Sequence, residues 1–315
     1  MQQKLNHWID LPKIAAIMIA ATMCLSALAL AQPAGQKNFS SAEEASKALA
    51  TAAENNDSKA MLEILGPNGQ KIVSSGDDVE DAESRANFAK RYHEMHRLVS
   101  EPDGTTILYI GAHNWPTPIP LIGKGNSWYF DTEAGTKEIM YRRIGRNEVS
   151  AIHVCQELVT AEKEYFQQHG EYAQKISSDE GQHNGLYWKA AVGEPDSPIG
   201  PLVAEAVADS PAGASTPYRG YYFHILTRQG HNARGGPKTY LTAGKMTGFA
   251  FVAYPAEYRS SGVKTFIVSE NGALFEKDLG KKTDVVAKEM TEYNPDHSWD
   301  KADEQPDQMA ASPIK

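Results

Sequence analysis

Residues 148–168 carry the periodicity that most constrains what this chain can fold into. Ala151, Ile152, Cys155, Leu158, Val159, Tyr165 and Phe166 fall on one helical face. His153, Gln156, Glu157, Thr160, Lys163, Glu164 and Gln167 fall on the other. An amphipathic helix of this length has to bury its stripe against a second layer. Asn147 fits an N-cap, Glu148 suits the positive end of a helix dipole, and Gly170 supplies a stop. The second layer is legible downstream as YYFHILT (221–227), FAFVAYP (249–255), VKTFIVSE (263–270) and ALFEKDL (273–279). Asn271-Gly272 joins the last two, and that pair is a strong hairpin signal. These runs predict a long helix packed on a four-stranded antiparallel meander.

The preceding segment predicts helices followed by a small antiparallel sheet. Ser40 and Ser41 precede Glu43 and Glu44 at capping-box spacing, and Ala45, Leu49 and Ala52 recur at helical intervals. The pattern resumes over residues 60–65 and stops at Gly66-Pro67. A longer helix is expected over residues 78–99. TTILYIGA (105–112), PIPLIG (118–123) and SWYFD (127–131) read as strands around a Gly123–Asn126 turn. The three prolines of WPTPIP (115–120) restrict it to an edge or an extended lead-in. A short helix over 133–144 is expected to end at Gly145, with the two domains divided there, 32–146 and 147–300. Residues 171–217 read as a long loop with one short helix at 202–208, and 301–315 as a disordered tail. The fold class is α+β.

Residues 1–31 have the layout of a secretory signal peptide. Lys4 and Lys13 precede an apolar run, IAAIMIAATMCLSALAL (14–30), and Ala29-Leu30-Ala31 is a small-x-small cleavage site. The run is 17 residues, short for a membrane span, and no charged stop-transfer cluster follows it. Met23 before Cys24 does not suit a lipoprotein signal. Cleavage after Ala31 implies a periplasmic or secreted protein with no stable membrane span. It removes two lysines and one aspartate, taking the net charge from −9 to −10. An acidic chain without a Lys/Arg block does not suit nucleic acid. Only Cys155 remains, so no intrachain disulfide forms. Its place in the apolar stripe reads as core rather than as a nucleophile.

Three groups of side chains are candidates for chemistry or binding. His93 and His96, three apart on the expected helix, suit a shared metal or a solvated helix face, with no third ligand nearby in sequence. Arg142, Arg143 and Arg146 suit a carboxylate or phosphate grip, or else they cap a helix and pair with Glu138 or Glu148. His183, Tyr187 and Trp188 suit a sugar- or peptide-binding surface, or else they anchor the long loop. The chain has no GxSxG elbow, no P-loop, no GxGxxG after a strand and no CxxC. Nucleotide, dinucleotide and thiol-redox chemistry are therefore not expected, and no metal or cofactor is.

Three runs together resemble the secreted bacterial family called domain of unknown function 2950. They are WPTPIPLIGKGNSWYFDTEAGTKEIMYRRIGRNE (115–148), GLYWKAAVGEPDSPIGPLVAEA (185–206) and FVAYPAEYRSSGVKTFIVSENGALFEKDLG (251–280). That resemblance implies export and supplies no catalytic residues. The C-terminal half also resembles the globular domain of type IV pilins and pseudopilins. A helix there ends in Tyr165…Gly170-Glu171-Tyr172, Tyr222–Ile225 opens the sheet, and Gly262–Phe266 with Asn271-Gly272 closes it. A pilin's apolar assembly helix runs straight into that domain, and this chain has none before Glu148. The expected function is a non-catalytic envelope protein that binds another protein or a polysaccharide. The alternative is a periplasmic enzyme acting on a cell-wall or small polar substrate.

Overall fold

The computed structural model describes residues 35–74, 78–190, 193–194, 196–205 and 216–302. The expected signal peptide, residues 303–315 of the expected tail and parts of the long loop lie outside the described residues. The fold is α+β, in two compact units that divide between Thr136 and Lys137.

The first unit opens with α1 (Ala42–Glu54) and α2 (Ser58–Leu65), which are capped as their sequences require. The Ser41 hydroxyl accepts from Glu44 N, and the Glu44 carboxylate accepts from Ser40 N and Oγ. Asp57 caps α2 by accepting from Ala60 N, and Gly66 ends it at φ +76°. A short α3 (Gln70–Val73) and α4 (Asp78–Glu94) follow. Strands β1 (His96–Ser100), β2 (Thr105–Ile110), β3 (Trp115–Pro116), β4 (Leu121–Lys124) and β5 (Ser127–Phe130) form one antiparallel sheet. The helix expected over 78–99 thus stops at Glu94. Leu98 and Val99 face Leu108 and Ile107 across the β1–β2 ladder, and that pairing overrides the helical spacing. Pro116, Pro118 and Pro120 divide the partner of β2 into the short β3, which pairs with Tyr109 and Ile110, and the separate β4, which pairs with Thr105 and Thr106. Leu49, Ile64, Leu65, Leu121 and Phe130 fill the core between helices and sheet.

The second unit is organised by α5 (Thr132–His169), a helix of 38 residues that crosses the position where a break is expected. Gly145 lacks a positive φ, and no heavy atom crowds the place of a Cβ there, so it is a weak helix residue but not a stop. Asn147 caps nothing; its side-chain amide donates to Ser261 O at 2.8 Å. The Glu148 carboxylate accepts from the backbone N–H groups of Val263 and Lys264, at 2.9 and 3.0 Å. Polar residues that suit a helix start serve here as tethers from mid-helix to a sheet strand.

After α6 (Pro201–Glu205) come β6 (Tyr221–Leu226), the two-residue strands β7 (Arg228–Gln229), β8 (Lys238–Thr239), β9 (Leu241–Thr242) and β10 (Lys245–Met246), then β11 (Ala250–Pro255), β12 (Lys264–Ser269) and β13 (Leu274–Asp278). Next are α7 (Thr283–Lys288), β14 (Glu292–Tyr293) and β15 (Asp300–Lys301). The main sheet runs β15-β13-β12-β11-β6, every neighbour antiparallel. All four expected strands are present in the expected order. β15 adds a fifth, so the polar tail begins inside the sheet, with Ala302 buried against Leu274.

Strand alternation sends two residue sets to opposite faces. Phe223, Phe251, Ala253, Phe266 and Val268 pack with Ala151, Cys155, Leu158 and Val159 of α5. Val252, Tyr254 and Ile267 pack with Leu226, Tyr240, Met246, Ala287 and Tyr293 from β6, the insert between β6 and β11, and the α7–β14 segment. Both faces of β11 are covered, which is why AFVAYP reads as an unbroken apolar run.

Helix continuity is directly testable. Gly145→Ala is expected to raise stability by about 0.5–1 kcal/mol in chemical denaturation, because alanine is the better helix former and finds open space. A loss of stability would place a break at Gly145. Gly262→Ala should cost about 1–3 kcal/mol, because its Cβ would run into the ring and hydroxyl of buried Tyr221.

Candidate functional site

The three sequence candidates have different fates. His93 and His96 do not lie on one helix face. The helix ends between them, His93 Nε2 lies 3.2 Å from Glu54 Oε2, and His96 stacks on Tyr92 at 3.9 Å. Among the described residues no cluster of three or more His, Cys, Asp or Glu is placed to hold a metal ion.

His183, Tyr187 and Trp188 lie where the long loop folds back on the second unit. Trp188 is buried and stacks on the His183 ring at 4.4 Å. His183 Nε2 stands 3.9 Å from Glu194, and its backbone carbonyl accepts from the Tyr165 hydroxyl of α5 at 3.1 Å. Tyr187 is half-buried and held by two backbone hydrogen bonds of 2.8 Å, one to Ile176 and one to Ser178. Leu186 beside it is fully buried. Loop backbone and apolar side chains thus close on each other, with Gly185 so tightly packed that a Cβ would meet Ser177 and Ser178 backbone at 2.8 Å.

The arginines occupy the other end of α5. Arg142 Nε donates to Glu138 Oε1 at 2.7 Å, one helical turn away. Arg143 reaches Ser260 Oγ at 3.5 Å, the outer limit of a hydrogen bond. Glu148, a possible partner from sequence, is occupied by the two backbone N–H groups of β12 and its approach. A fourth cation joins them, which sequence reading does not anticipate. Tyr218 and Tyr221 exchange two backbone hydrogen bonds of 3.0 Å around a two-residue turn, Arg219-Gly220, with φ +46° and +76°. A Cβ on Gly220 would lie 2.8 Å from Asn147 Nδ2 and 2.7 Å from Ser261 Cβ, so the turn is seated on α5 just beside Arg146. The Arg219 guanidinium also lies 5.8 Å from the Tyr218 ring centroid. Partial desolvation first, then the charges of Arg142, Arg143 and Arg219, lower the pKa of Arg146. Among the described residues Arg143, Arg146 and Arg219 form no ion pair.

Arg146 and Tyr165 are 19 residues apart on one helix, or about 28 Å at 1.5 Å per residue. The arginines and the His183 group therefore do not converge on one substrate. Between them, on the polar face of α5 from His153 to Glu164, Pro198–Gly200 complete an open groove of about 470 Å³.

Cys155 and Glu162 are among the titratable groups buried in the helix–sheet core. Cys155 is fully buried and its thiol is pushed up to about 12 by burial, so it is not a thiolate nucleophile. Glu162 is fully buried as well. One oxygen accepts from Ala173 N at 2.8 Å, the other has no partner, and burial pushes its pKa up to about 8. Below the ordinary value of 4.5 the carboxyl is protonated in folded and unfolded chains alike. Between there and about 8 the unfolded chain ionises and the folded one does not, so stability falls as pH rises. Glu162→Gln should match the parent near pH 4 and exceed it at pH 8 by up to about 5 kcal/mol. Parallel stability curves from pH 4 to 8 would contradict this burial.

Comparison with known proteins agrees with the family resemblance read from sequence. No curated protein and no solved structure matches the chain. Residues 36–302 match the family described as "Protein of unknown function (DUF2950)". The match covers both units and all the elements described above, and the chain therefore belongs to that family.

Proposed function

We propose that this chain is an exported bacterial envelope protein that works by binding, with the arginine end of α5 as its working surface. One observation carries the reading. Arg143, Arg146 and Arg219 come from two separate chain segments, stand together without a carboxylate partner among the described residues, and do so in a chain of net charge −9. Gathering like charges is unfavourable unless something compensates them. A partner supplied from outside, an acidic protein surface or an acidic polysaccharide, supplies that compensation.

The enzyme reading expects a deep pocket where His183, Trp188 or the arginines converge with a carboxylate; the two groups lie at opposite ends of α5 and the groove between them is open, which weighs against one site that uses both. The expected signal peptide and the secreted character implied by the family resemblance support export. No helix among the described residues is long and apolar enough to cross a membrane. The pilin-like reading of the second unit draws support from α5 lying on an antiparallel meander. The cover over the meander's second face fits a soluble use of that shape rather than a filament.

Two measurements test the proposal. N-terminal sequencing of the protein recovered from outside the cytoplasm should begin at Gln32; a start at Met1 would contradict cleavage. Sedimentation with isolated envelopes should fall at least about tenfold for the double substitution Arg143→Glu and Arg146→Glu, and stay unchanged for His183→Ala. Equal losses from both ends would favour the enzyme reading.

A further inference from the structure

We propose that Arg143, Arg146 and Arg219, with the hydroxyl of Ser260, form a binding site for a phosphate group carrying at least two negative charges. The inference rests on the binding role proposed above and names the chemistry of its ligand.

The donors come from three chain segments. Arg143 and Arg146 are three residues apart on α5 and so lie on neighbouring helical positions. Arg219 enters from the turn that is packed on Asn147, the residue after Arg146. Ser260 lies in the loop whose next residue, Ser261, accepts from Asn147 and touches Gly220. A planar carboxylate is satisfied by a single guanidinium fork. Donors drawn from several segments instead suit a tetrahedral oxyanion, and three mutually repelling cations are best offset by more than one negative charge. The nearby carboxylates do not fill this role. Glu138 is paired with Arg142, Glu148 is bonded to backbone, and Glu257 forms no ion pair among the described residues.

The Arg219 backbone gives a second, independent indication. A turn with positive φ at both central residues favours Asn or Gly at its first position, and here the first is an arginine at φ +46°. The fold thus holds at this position a residue that the turn does not favour, as it also does at Ala243 and Arg259. Replacement by asparagine should improve the turn and damage the site, which a merely structural arginine would not do.

The test is a titration of the exported chain with inorganic diphosphate, at low and high salt. Saturable binding that weakens with salt is expected. Arg146→Gln and Arg219→Asn should each weaken it at least about tenfold. Arg219→Asn should keep or raise the melting temperature, and Arg97→Gln, in the first unit, should bind as the parent does. A parallel arm uses phosphatidic acid vesicles, whose phosphomonoester headgroup approaches two negative charges, against phosphatidylcholine vesicles. Arginine-dependent binding to the anionic vesicles alone assigns the phosphate to a lipid headgroup, and binding to diphosphate assigns it to a soluble or glycan-borne phosphate. Absence of saturable binding in both arms, or binding indifferent to both substitutions, overturns the site. If envelope sedimentation still depends on Arg143 and Arg146 in that case, the binding role stands and only the phosphate chemistry falls.

Discussion

The contact between the apolar stripe of α5 and one face of the main sheet is the interaction on which the rest of the second unit depends. Cys155 and Leu158 are fully buried against Phe223, Phe251 and Phe266, themselves fully or almost fully buried. Each such side chain contributes about 1.5–3 kcal/mol on burial, so the stripe fixes the rotation of the helix about its axis. That rotation turns the helical positions of Arg143 and Arg146 toward the 218–220 and 260–261 turns. It also brings Tyr165 under the loop that carries His183. Without a disulfide in the described residues, this packing and the tethers from Asn147 and Glu148 hold the layers in register.

Much of this was legible in sequence, and the misses share a cause. The stripe from Ala151 to Tyr165, the four long strands and the hairpin at Asn271-Gly272 follow from periodicity and turn chemistry, which are local. Gly145 and Asn147 were misleading because stop and cap residues take their meaning from backbone conformation and partners. Asn147 found its partner in Ser261, more than a hundred residues away. Residues 96–99 carry a helical spacing that β2 overrides by pairing. The strands β7 to β10 are two residues each, too short for any period to register.

The candidate site was half legible. Arg142, Arg143 and Arg146 announce themselves as a cluster, whereas Arg219 joins only through the fold. Its sole local sign is an Arg-Gly pair just before a strand. The aromatic candidates show the opposite pattern. Their residue types suit a binding surface, yet Trp188 is buried against His183 and Tyr187 spends its backbone on loop closure. What separates the two groups is satisfaction. Side chains at the His183 end are matched within the chain, as Arg142 is by Glu138, whereas Arg143, Arg146 and Arg219 carry charge that the described residues leave unmatched.

One unbroken helix keeps these ends apart. Spin labels on Arg143→Cys and Glu164→Cys measure that directly, since both positions are exposed and native Cys155 is buried beyond reach of the label. The two sites are 21 residues apart on α5, and a single narrow distance distribution centred at about 31 Å, plus the reach of the labels, is expected. A broad distribution, or one centred below about 20 Å, would mean that the helix breaks between the two labels and that the two ends can meet.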